Sequence, residues 1–206
     1  MMRPYDAQRG LARLAQRVRG SLPSDLPALF ALTDPVRTPD PLAFASQLAP
    51  GSGLIYRHFG APERFQVGST LVEIARQGGL QLFVSSDCEL ADRIGAHGIH
   101  WPERELGQAW ARRMRGDSRP FTASVHSGAA CMRAARAGID GVFHSTLFAS
   151  RSATAGRPHG IHAAAALARG TKMAVYPLGG VNTRTGRRLI GLGFAGFGCV
   201  GALSGD

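Results

Sequence analysis

The stretch Ala174 to Asn182, AVYPLGGVN, decides how this chain folds. A short apolar run, Ala174 to Tyr176, passes through Pro177 and Leu178 into the pair Gly179 and Gly180. Arg184 and Thr185 then open an amphipathic segment, Arg187 to Leu192. That order predicts a strand, a tight glycine turn and a helix N-terminus. Paired glycines let backbone N–H groups approach a ligand, and the positive end of a following helix favours an anion. The local physics is that of a phosphate cradle, although such turns also occur without ligands.

About twenty residues on, Phe197 to Leu203 (FGCVGAL) is a second apolar run that ends in small residues, Gly201 among them. In a closed barrel of alternating strands and helices, the loops after the seventh and eighth strands commonly hold phosphate. Six strands should therefore come earlier, and the patterning supplies them. They are Leu29 to Thr33, Leu54 to Arg57, Leu80 to Ser85, Gly98 to Trp101, Thr122 to His126 and Gly141 to Ser145. Between them lie helical segments at Pro41 to Leu48, Arg64 to Gln77, Glu89 to Ile94, Leu106 to Met114 and Ala129 to Ala137. After a polar loop from Ala149 to His159, Ile161 to Ala168 is the last helix before the seventh strand.

Eight strands alternating with helices predict an α/β fold with a parallel sheet. No GxGxxG follows the first strand, and the glycine-rich ends come late. A compact (β/α)8 TIM barrel over residues 29–206 is the expectation, in preference to an open doubly wound sheet. About 175 residues for eight units is short against the usual barrel of roughly 250, so helices and loops must be tight. Residues 1–28 read as an N-terminal amphipathic helical extension: Leu11, Leu14, Ala15 and Val18 recur at helical spacing, and Pro23 and Pro27 terminate it. Packing of this helix on the barrel as a lid is preferred to membrane binding.

A chain of 206 residues with 44% apolar and 18% charged residues is an ordinary globular composition. It has neither a spanning apolar run nor a secretory signal, so a cytoplasmic address is expected. The net charge of +10 comes almost wholly from arginine scattered along the chain, which favours an anionic small substrate over nucleic acid. Cys88, Cys131 and Cys199 form no metal or disulfide pattern.

Residues at the carboxyl ends of barrel strands share one mouth. Here they are Arg57, Asp87, His100, Ser124, His126, His144, Ser145, Thr146, Gly179, Gly180 and Gly201. Arg57 can fork two hydrogen bonds to phosphate or pair with Asp34 or Asp87. Asp87 can ligate Mg²⁺ or cap the helix that follows. Any of the three histidines can shuttle a proton near neutral pH. Lys172, the one lysine, precedes the seventh strand on the opposite rim, which disfavours Schiff-base chemistry.

The order of LFALTD, the Arg57 strand end, SSDCELADRIGAHGIHWPERE, ASVHSGAACMRAARAGIDGVF, PLGGVN and GFGCVGAL resembles the thiamine phosphate synthase and TenI family of small barrels, over roughly Leu29 to Leu203. Family synthases join a hydroxymethylpyrimidine diphosphate to a thiazole phosphate with Mg²⁺, releasing pyrophosphate. The resemblance makes Asp87 and Glu105 the metal-bearing acids, and it makes Arg57 the survivor of the diphosphate-binding strand end, where Ile55, Tyr56, His58 and Phe59 depart from the family pattern. The family's hydroxyl-rich loop corresponds to Ser145, Thr146, Ser150 and neighbours. Its lysine is missing, with Arg151 or Arg157 in reach, and Gly201 replaces a common serine.

This erosion resembles the TenI-type relatives, which isomerise a thiazole phosphate. The first expectation is therefore a tautomerase with His144 as proton carrier ahead of His126 and His100, and with phosphate on Gly179, Gly180 and Gly201. A synthase using Mg²⁺ is the alternative enzyme, and a non-catalytic binder of a thiazole or thiamine phosphate is the alternative outside catalysis. A homodimer is an open expectation.

Overall fold

The computed structural model describes residues 4–20, 25–149, 158 and 160–200. Local signals set most element starts. Asp40 accepts hydrogen bonds from the Leu42 and Ala43 N–H groups, and Pro41 sits where a missing N–H is harmless. Ser127 and Asn182 cap in the same way at the last two capped helices. Gly79 and Gly95, both left-handed, end helices with closing N–H bonds.

The elements run α1 (Pro4–Val18), β1 (Leu29–Leu32), α2 (Pro41–Ser46), β2 (Gly53–Tyr56), α3 (Arg64–Gly78), β3 (Gln81–Ser85), α4 (Cys88–Ile94), β4 (Gly98–Trp101), α5 (Leu106–Met114), β5 (Phe121–Val125), α6 (Gly128–Arg136), β6 (Gly141–His144), α7 (Ile161–Arg169), β7 (Ala174–Pro177), α8 (Thr183–Gly186) and β8 (Phe197–Val200). The eight strands form one parallel sheet in the order β7-β6-β5-β4-β3-β2-β1-β8. The ends meet where the Ala195 N–H donates to the Val175 carbonyl at 3.0 Å, leaving a nearly closed TIM barrel.

Alternation along the strands sorts side chains into two layers. Leu54, Val84, Ile99, Val125 and Val142 face the helices. Phe30, Ile55, Phe83, Phe143 and Tyr176 fill the lumen, where Phe30 meets Phe83, Phe143 and Tyr176 edge to face at 5.1–5.3 Å. The Phe30 ring has room because Gly53 stands beside it, where a Cβ would come within 2.3 Å of the ring. Rings opposed to glycines are how so short a chain closes a barrel.

Leu11, Leu14, Ala15 and Val18 of α1 are buried against β1 and α8, so this helix belongs to the barrel's outer layer and shares its core. It ends at Val18, before Pro23, which lies outside the described residues. The expected helix over Arg187 to Leu192 is instead one α turn at α8 followed by a 3-10 turn at Arg187–Leu189. Gly191 and Gly193, at φ 77° and 88°, stop it from continuing. Among the described residues no helix is long and apolar enough to cross a membrane.

Candidate active site

At the β4 end, the same alternation points His100 into the lumen and Trp101 outward. His100 Nδ1 lies 3.0 Å from Thr122 Oγ1 and Nε2 lies 2.9 Å from Ser124 Oγ. Burial, with the Arg57 charge adding to it, pushes the imidazole pKa down to about 3. His100 is therefore neutral at ordinary pH and held by both nitrogens, a fixed polar floor for the mouth.

Arg57 follows β2. Its N–H donates to Thr33 Oγ1 and its Nε to the Thr33 carbonyl, both at 2.8 Å, while a guanidinium nitrogen lies 3.8 Å from Asp34. The expected pairing with Asp34 is thus present, and its length leaves the outer guanidinium nitrogens loosely held. Burial lowers the Arg57 pKa, opposed by Asp34.

Arg64, which the sequence reading passed over as part of a helix, supplies a second cation on this side. Its guanidinium donates to the carbonyls of His58 and Ser85 and to Asp87 Oδ2, the last at 3.1 Å, while lying over the Tyr56 and Phe59 rings. Asp87 Oδ1 accepts from the Leu90 N–H at 2.9 Å, so this carboxylate caps α4 as its position predicts. Glu105 pairs with Arg104 through Oε1 at 3.0 Å, and its Oε2 is buried with no partner. Among the described residues no three metal-binding side chains converge. The buried Glu105 oxygen without a partner is nonetheless an electron-pair donor that a divalent cation such as Mg²⁺ would satisfy, whereas both Asp87 oxygens are already engaged.

On the opposite side, His126 is exposed. Its Nδ1 lies 3.1 Å from Ser145 Oγ and 3.3 Å from the Ser145 carbonyl. Its N–H donates to Glu103, which Arg133 holds at 2.6 Å. His144 is placed differently. It shares the outer face of β6 with Val142, is 5% exposed, and so stands behind the mouth that was expected to contain it.

The glycine turn after β7 packs directly on the loop after β6. The Leu147 and Phe148 N–H groups donate to the carbonyls of Leu178 and Gly179 at 2.9 and 3.1 Å. A Cβ on Gly180, at φ 65°, would lie 2.5 Å from the Ala149 carbonyl, and one on Gly179 would lie 2.8 Å from the Thr146 methyl. The N–H groups of Gly179, Gly180 and Val181 have no acceptor among the described residues. Arg188, also missed from sequence, lies over the Phe148 ring beside this turn. Asn182 and Thr185 complete a reciprocal cap on α8. Ser150, Arg151, Arg157 and Gly201 lie outside the described residues.

A family model described as thiamine monophosphate synthase matches residues 47–203, more than half of the chain. The chain belongs to that family. The thiamine-phosphate synthase of Alcanivorax borkumensis is 28% identical over 88% of this chain and 87% of its own length. That of Roseiflexus sp. is 28% identical over 70% of this chain, and the bifunctional protein ThiM/ThiE of Symbiobacterium thermophilum is 26% identical over 95%. The chain spans less than two thirds of those two, 62% and 42% of their lengths. Among solved structures, the thiamine phosphate pyrophosphorylase of Pyrococcus furiosus superposes with a TM-score of 0.75 at 20% identity, covering 86% of this chain and 87% of that one. At that identity the likeness concerns the thiamine monophosphate synthase family's barrel, not its chemistry.

Proposed function

We propose that this chain is a thiamine phosphate synthase that joins a hydroxymethylpyrimidine diphosphate to a thiazole phosphate and releases pyrophosphate. The observation that carries the reading is the set of N–H groups at Gly179, Gly180 and Val181 that have no acceptor among the described residues, on the β7 turn in a family whose curated relatives are named for this reaction. Aligned N–H donors take a phosphate monoester without any side-chain charge, and Arg188 adds one beside them.

The diphosphate belongs on the other side of the mouth. Arg57 offers its outer guanidinium nitrogens there, while Arg64 holds Asp87 in place. Asp87 and Glu105 would hold Mg²⁺, which supplies positive charge against the departing pyrophosphate. His100, neutral between two hydroxyls, presents a polar wall with no proton to lose at working pH. The family's basic strand end is reduced, and the Arg64–Asp87 pair supports the reading that this side keeps a positioned carboxylate. Incubating the chain with both substrates and Mg²⁺ should release pyrophosphate at one equivalent per thiamine phosphate, and no release from that mixture rules the synthase out.

A second reading rests on His126. It is the exposed imidazole of the mouth and touches Ser145, so a tautomerase acting on a bound thiazole phosphate would use His126 in place of the expected His144. Isomerisation without a second substrate, lost in His126→Ala, would support it. Binding of thiazole phosphate without either turnover would leave the carrier function.

A further inference from the structure

Thr122, His100 and Ser124 form one hydrogen-bonded file across β4 and β5. His100 and Thr122 are register partners on these adjacent strands, with His100 Nδ1 3.0 Å from Thr122 Oγ1 and His100 Nε2 2.9 Å from Ser124 Oγ. Thr122 and His100 are buried. Ser124 is the partly exposed member, and its register partner is the lumen residue Phe143. The file leads from a sealed hydroxyl to one that borders the mouth.

Burial keeps the imidazole neutral, so it carries one N–H. Two arrangements of protons then satisfy the distances. In the first, the Thr122 O–H donates to a bare Nδ1, Nε2–H donates to Ser124 Oγ, and the Ser124 O–H is left for the mouth. In the second, Nδ1–H donates to Thr122 Oγ1 and the Ser124 O–H donates to a bare Nε2. The second strands the Thr122 hydroxyl proton, because among the described residues Thr122 Oγ1 has no hydrogen-bond partner besides His100. A buried donor without an acceptor is costly and uncommon, and the first arrangement gives every buried proton of the file an acceptor.

We infer that Thr122 is a positioning residue: it fixes His100 in the Nε2–H tautomer, and His100 thereby makes the Ser124 hydroxyl a hydrogen-bond donor toward the mouth. Arg57 lies close enough for its charge to act on the same imidazole, which sets a cation beside that donor. A donor next to a cation suits an oxygen that carries charge and no proton. Donation to a diphosphate oxygen rests on the site proposed above, whereas the tautomer is a property of the free chain.

¹⁵N NMR of the full chain with labelled histidine separates imidazole nitrogens that carry a proton from bare ones, and couplings to the ring C–H protons tell Nδ1 from Nε2. The signals absent from His100→Gln belong to His100. Its Nε2 should be protonated and its Nδ1 bare, and the reverse overturns the inference. Thr122→Val, nearly the same shape without the donor, should lower the Nε2–H fraction, and Thr122→Ser should retain it. An unchanged fraction in Thr122→Val overturns the role of Thr122, and the parent spectrum decides the tautomer even if that variant fails to fold. In calorimetry with inorganic pyrophosphate and Mg²⁺, the dissociation constant of Thr122→Val should rise by the reciprocal of its Nε2–H fraction, about twofold at half population. Thr122→Ser should match the parent. A constant that stays at the parent value while the fraction falls overturns Ser124 as the donor. Absence of pyrophosphate binding by the parent chain overturns the diphosphate site, and with it the ligand assigned to Ser124.

Discussion

The two sides of the barrel mouth are built on opposite principles. On the β2 to β4 side the polar groups are largely engaged with the protein itself: Arg64 with Asp87 and two carbonyls, Arg57 with Thr33, and His100 with two hydroxyls. On the β5 to β7 side, three backbone N–H groups have no acceptor among the described residues and His126 is exposed. The first side holds its charges rigid at a cost in desolvation, and the second keeps donors ready at little cost. Removing Arg64 or His100 should therefore act first on stability, and changing the β7 turn should act on thiazole phosphate binding.

The sharpest break of that contrast is Gly180→Ala. The added Cβ meets the Ala149 carbonyl and disfavours the left-handed backbone that aims the open N–H groups. Losing two charge-assisted bonds of about 1.5 kcal/mol each should weaken thiazole phosphate binding about 100-fold in calorimetry. Arg64→Met should do the reverse, costing about 2 kcal/mol in urea unfolding, because Asp87 loses a partner that is 11% exposed while remaining partly solvated itself. Thiazole phosphate affinity should stay within twofold of the parent in that variant, since the β7 turn is untouched; a 100-fold loss there would show that the two sides are not separable.

His100 sharpens the comparison through pH. Its folded pKa of about 3 lies below its ordinary value of 6.5, so the unfolded chain takes up the proton first. The associated stability is present above pH 6.5 and is lost as pH falls toward 3, with a slope of at most about 1.4 kcal/mol per pH unit. Urea unfolding between pH 6.5 and 5, above the range where most carboxylates titrate, should show that slope in the parent chain and a flatter one in His100→Gln. Equal slopes would mean that the imidazole is not held neutral.

Arg188→Ala, on the open side, should leave stability within about 0.5 kcal/mol and reduce phosphate affinity only several-fold, as expected for an exposed cation. His126→Ala should be smallest of all in stability and in binding. Its pyrophosphate release should persist if the chain is a synthase, and isomerisation should vanish if it is a tautomerase.

Much of the barrel could be read from the chain because its signals are local. Period-2 runs, capping residues such as Asp40 and Ser127, and glycines at helix ends announce elements within a few residues of themselves. The phosphate turn was legible for the same reason, since Gly179 and Gly180 are consecutive. Reading failed where a role depends on residues far apart. Arg64 looks like one more helical arginine until its guanidinium is seen to reach Ser85, 21 positions away. His144 reads as a mouth residue from its place at a strand end, yet the pleat sets it on the face of Val142, and a shift of one residue moves a side chain to the other face.

The sequence by itself determined the α/β alternation, the family, and the backbone turn suited to phosphate, since each rests on neighbours in the chain. Only the tertiary structure decided which histidine faces the mouth, which arginine supports Asp87, and that His100 is held between Thr122 and Ser124. Those assignments depend on strand register and on desolvation, and both arise only when the barrel closes.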